Sequence, residues 1–113
     1  MDTNLMLRDG STDLTGDETL TAVNIGPMVN PLYLHIDVPS VSSGDTLDVE
    51  LEFLNSSSVE QVNSNIKQIT ALGKYVVPFF TNQPKLQVKL NETDNGGPNF
   101  GAVKVWISTS PIS

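Results

Sequence analysis

The stretch Thr46-Leu47-Asp48-Val49-Glu50-Leu51-Glu52-Phe53 decides the fold class. Leu47, Val49, Leu51 and Phe53 alternate strictly with Asp48, Glu50 and Glu52, and Asn55-Ser56-Ser57-Ser58 ends the run. A helix would scatter these apolar side chains around its circumference. A strand, whose side chains repeat every second residue, collects them on one face. Three more segments read the same way: Leu32, Leu34, Ile36 and Val38 ahead of Pro39; Leu86, Val88 and Leu90; and Val103, Val105 and Ile107. One apolar face and one polar face is the mark of half-buried antiparallel strands.

Weaker strands are expected at Asn4 to Arg8, at Leu20 to Ile25 and at Lys74 to Phe80. In the last, Pro78 removes a ladder donor and points to an edge or a bulge. Turn residues separate the runs: Asp9-Gly10, Thr15-Gly16-Asp17, Gly26-Pro27, Ser43-Gly44-Asp45, Leu72-Gly73 and Asp94-Asn95-Gly96-Gly97-Pro98. The window Val59 to Ile69 places Val62, Ile66 and Ile69 at helical spacing, but Asn63-Ser64-Asn65 weakens a helix, so a short helix or a loop is expected there. The fold class is all-β, a single antiparallel β-sandwich of jelly-roll-like kind. Residues 1–8 form an N-terminal arm or edge strand, and residues 9–113 the sandwich domain.

Composition narrows the chemistry. A chain of 113 residues suits one domain. With no cysteine there is no disulfide framework, thiol nucleophile or cysteine-based metal site. Thirteen acidic against six basic residues leave a net charge of −7, a field that repels nucleic acid and anionic membrane alike. The N-terminal residues contain no secretion signal or spanning segment, so synthesis in a cytoplasm is expected.

Candidate catalytic groups are few. His35, the single histidine, falls on the polar side of its strand between Tyr33 and Asp37 and reads as a surface residue. No Gly-x-Ser-x-Gly elbow accompanies it. Asp48, Glu50 and Glu52 line one strand face, where they are expected to meet Lys85, Lys89 or Lys104 on neighbouring strands rather than to form a catalytic pair. Asp13, Asp17 and Glu18, and likewise Glu92, Asp94 and Asn95, are acidic turns without the spacing of a calcium loop. The expectation is a non-enzymatic protein with no catalytic residue, metal site, cofactor or small-molecule substrate.

Outward aromatic residues remain to be explained. Trp106 and Tyr33 lie on the polar sides of their strands, where a partner protein would bury them. Leu5, Met6 and Leu7 follow one another without alternation, so one side of this segment lacks an evident home inside a small sandwich. Leu5, Met6, Leu7, Tyr33 and Trp106 are therefore the candidate interface with a second subunit or another protein.

The succession of segments resembles the small capsid cement (decoration) proteins of tailed bacteriophages. The residues that carry the likeness are Glu18-Thr19-Leu20-Thr21-Ala22-Val23-Asn24-Ile25-Gly26, Pro31 to Val38, Thr46 to Glu52, Ile69 to Tyr75, Lys85 to Leu90 and Pro98-Asn99-Phe100-Gly101-Ala102-Val103. The resemblance implies a jelly-roll sandwich on the outer capsid surface of the virion. It also implies a homotrimer that clamps subunits of the major capsid protein. A different reading of the same residues is a small carbohydrate-binding or adhesive module, with Trp106 and Tyr33 stacked on sugar rings.

Overall fold

A computed structural model describes residues 4–26, 28–42, 44–93 and 99–112, with Asn4 described by its backbone. Residues 1–3 of the expected arm, Pro27, Ser43, and the turn 94–98 with Asp94 and Asn95 lie outside the described residues.

The described residues form nine strands and no helix: β1 (Asn4–Asp9), β2 (Glu18–Thr19), β3 (Val23–Asn24), β4 (Leu32–Val38), β5 (Thr46–Leu54), β6 (Glu60–Ile69), β7 (Gly73–Phe79), β8 (Lys85–Thr93) and β9 (Lys104–Ser108). Both β2 and β3 pair with β8, so they are two pieces of one interrupted strand. Pairing runs from the outside of the sequence inward: β1 with β9, β2 and β3 with β8, β4 with β7, and β5 with β6. The β4–β9 and β5–β8 ladders then join these pairs into two antiparallel sheets, β1-β9-β4-β7 and β2-β8-β5-β6. A long hairpin rolled up in this way is a jelly roll.

Two inner faces make the core. Leu34, Ile36 and Val38 from β4 and Val105 and Ile107 from β9 oppose Leu47, Val49 and Leu51 from β5 and Leu86, Val88 and Leu90 from β8, all essentially inaccessible to water. Each fully buried aliphatic side chain contributes about 1.5–3 kcal/mol through surface removed from water. Leu14 and Phe100 close one end of the sandwich, their loops tied by backbone bonds from Leu14 N to Gly101 O (2.8 Å) and from Phe100 N to Leu14 O (3.0 Å).

The structure corrects the expectation for Val59 to Ile69, because Glu60–Ile69 is a strand. Asn55 folds the preceding turn: its Oδ1 accepts from Ser57 N (2.9 Å) and Val59 N (3.0 Å), and its own N–H reaches Val59 O. The turn delivers the chain back onto β5. Two bulges leave Gln61 and Ile66 out of the register and so break the alternation. Leu20 to Ile25 is likewise not one strand; it splits into β2 and β3, with Leu20 and Ile25 both buried. The Pro78 strand, β7, is a sheet edge, where a missing N–H costs least.

A candidate interaction face on the first sheet

Register across β1-β9-β4-β7 sets the outer face in rows. Asp9, Lys104, Asp37 and Lys74 lie side by side, alternating in charge across all four strands. Opposite charges on neighbouring strands attract, so this row holds the sheet without leaving a net charge. The next row is Met6, Trp106, His35 and Val76, and beyond it come Asn4, Ser108, Tyr33 and Pro78. An outer sheet face normally carries polar side chains, yet Met6 is 50% and Val76 41% exposed here, with Trp106 and Tyr33 half-buried between them.

His35 sits at the centre and corrects the surface assignment, for it is only 1% exposed. Its imidazole stacks on the Trp106 indole, ring centroids 4.9 Å apart and planes 4° from parallel. Nε2 lies 2.8 Å from Ser108 Oγ and 2.9 Å from Ser110 O. A carbonyl only accepts, so Nε2 carries a hydrogen and donates it to Ser110. Ser108 Oγ also donates to Ser110 O, at 2.7 Å. The imidazole thus fastens the residues after β9 onto the sheet, and they and the indole cover it.

Of the candidate interface residues, Met6, Tyr33 and Trp106 share this outer face. Leu5 and Leu7 do not: both pack against the sandwich core. A bulge between Met6 and Arg8 takes Leu7 out of the register, while Leu5 stands opposite the buried Ile107. That extra residue accounts for three consecutive large apolar side chains. Arg8 then turns inward, 8% exposed. Its guanidinium donates to both carboxylate oxygens of Glu18 (3.0 and 3.1 Å), to Val103 O (2.8 Å) and to Thr12 O (2.9 Å), bridging β1 of one sheet to β2 of the other. Sequence reasoning passed over Arg8 because its partners lie in three separate segments.

The outer face of the second sheet is polar. Glu50 stands opposite Lys89, and Glu52 Oε1 is 2.8 Å from Lys89 Nζ, as expected for the carboxylates of β5. Lys104 is a correction, since it belongs to the other sheet beside Asp9 and Asp37. Glu52 shares that outer face with Glu50 but is covered there, being 6% exposed. Hydrogen bonding to Lys89 holds the Glu52 carboxyl below the usual glutamate range, whereas the neighbouring Glu52 pushes Glu60 up. In the acidic turns, Asp17 Oδ1 accepts from Glu92 N (2.8 Å) and Glu18 is bound to Arg8.

No family model matches the chain, and no curated protein matches it. Its fold is similar to solved viral-particle structures. A chain of the infectious bursal disease virus VP2 subviral particle superposes with a TM-score of 0.60 at 13% identity, over 92% of this chain and 31% of that one. The T13 viral particle of that virus gives a TM-score of 0.51 at 11% identity, over 96% of this chain and 33% of that one. The Gt strain gives 0.50 at 14% identity, over 94% and 31%. This chain therefore spans about a third of the length of the chains it superposes on. At such identity the likeness establishes a common jelly-roll fold.

Proposed function

We propose that this chain is a structural part of a viral particle and not an enzyme. More specifically, we read it as a cement protein seated as a homotrimer on the outside of a tailed-phage head, where it stabilises contacts between subunits of the major capsid protein. The observation that carries the reading is the similarity of nearly the whole chain to a domain-sized part of a viral-particle protein. The outer face of the first sheet supports it. Met6, Trp106, Tyr33 and Val76 form an apolar band beside a charge-neutral row, a surface suited to burial against protein. Jelly rolls also build lectin domains, so a glycan-binding module is the second reading, favoured by Tyr33 and Trp106 lying in adjacent rows of one face.

Co-sedimentation of the purified protein with expanded phage heads tests the proposal. Saturable binding at a fixed copy number is expected, and Met6→Asp should weaken it without lowering the melting temperature. Absent or unsaturable binding to heads, with retention on a glycan array, would favour the second reading.

A further inference from the structure

Charge is distributed unevenly along the sandwich. No Asp, Glu, Lys or Arg occurs from Thr19 to Ile36, from Tyr75 to Pro84, or after Lys104. The fold brings these three segments to one end. Leu32 pairs with Phe79, Tyr33 with Ser108, and Ile25 N bonds to Pro84 O (2.9 Å), so the chain around Val29 and Phe80 emerges at the same end. Those two side chains are 87% and 57% exposed. Lys85 and Glu60 border the end but are turned to Ser58 and Asn63. Asp9, Asp13, Asp17 and Glu92 gather at the opposite end.

The same end holds an open depression of about 260 Å³, walled by Ile25, Met28, Val29 and Leu32 with Thr109 at its side. That is room for one large apolar side chain. Protruding apolar groups and an apolar hollow on one surface are self-complementary, because a second copy offers the knob that fits the hole. The electrostatics agree. A molecule of net charge −7 repels its own copies, and contact through an end where, among the described residues, only Lys85 and Glu60 at the border are charged keeps the acidic ends farthest apart. A basic partner would instead be drawn to the other end.

We propose that this charge-poor end is where copies of the chain bind one another, apolar side chains such as Val29 and Phe80 of one copy entering the depression of the next. The inference rests on the homotrimer of the proposed function and locates the contact between its copies, whereas binding to phage heads tests the particle role separately. Sedimentation velocity over a wide concentration range should show reversible self-association. Val29→Asp and Phe80→Asp, both at exposed positions, should each weaken it at least tenfold at unchanged melting temperature. Leu72→Asp, a control on the 66%-exposed residue of the β6–β7 turn at the acidic end, should leave it unaltered. A wild-type protein that stays monomeric overturns the proposal. So does self-association that the Val29 and Phe80 variants leave intact, or that Leu72→Asp disrupts equally.

Discussion

The imidazole of His35 lies flat against the indole of Trp106 while its Nε2 holds the carbonyl of Ser110, two residues past the end of β9. One buried side chain thereby joins the middle of a sheet to the segment that leaves it. His35→Ala removes one of the two hydrogen bonds that Ser110 O accepts and the ring stacked on Trp106, leaving Ser108 Oγ alone to hold the segment, and we expect a loss of about 1–3 kcal/mol in urea unfolding. A Trp106 emission maximum shifted to the red should accompany it as the covering segment loosens. A loss below about 0.5 kcal/mol would show that the segment is held by other contacts.

Arg8 carries a heavier structural role than any surface ion pair. It is buried, bound through both carboxylate oxygens to Glu18, and shared with two backbone carbonyls. Arg8→Ala removes all four contacts and should cost about 2–4 kcal/mol in chemical denaturation. Glu18→Gln should cost less, because the Glu18 side chain is 38% exposed and water can replace part of what is lost.

Gly101 has φ +75°, and a Cβ there would stand 2.8 Å from Pro39 Cγ and 2.9 Å from Ser40 Oγ. Gly101→Ala is expected to destabilise by about 1–2 kcal/mol, since it incurs both left-handed strain and crowding at the Leu14–Phe100 plug. Gly16→Ala, where a Cβ meets nothing within 4 Å, serves as the control and should not destabilise.

The Glu52–Lys89–Glu60 cluster gives stability a defined pH dependence. Glu52 is lowered in the folded protein, so its contribution is present above the ordinary glutamate range and is lost as pH falls through the lowered value. Glu60 is raised, so its contribution is present in acid and disappears as pH rises through the raised value. Thermal melts at neutral pH should therefore show Glu60→Gln slightly more stable than wild type and Lys89→Met less stable. Both differences should shrink in acid. A Lys89→Met deficit that persists unchanged in acid would rule out the ion pair as its source.

Much of the fold was legible in period-two alternation, for a definite reason. Strands β4, β5, β8 and β9 each have one face on the core and one on the outside, so burial writes itself into every second residue. Strand β6 lacks that signature. It is an edge whose residues 60–65 are exposed on both faces, and two bulges shift what remains, leaving Val62, Ile66 and Ile69 at a spacing that imitates a helix. The candidate face was legible in part. Tyr33 and Trp106 stood out as aromatic residues at polar positions, but nothing local distinguishes Leu7, taken out of the register by a bulge, from Met6, which points outward.

By itself the sequence determined that this chain makes strands, where most of them lie, and that it carries no thiol and an excess of acidic over basic residues, because each of these depends on residue type and near-neighbour spacing. Only the tertiary structure decided that His35 is buried under Trp106 and Ser110, that Arg8 ties the two sheets together, and that three uncharged segments meet at one end. Those outcomes rest on contacts between residues far apart in the chain. His35 and Ser110 are brought together because β4 and β9 are neighbours in a rolled-up hairpin, and no local pattern around either residue records that pairing.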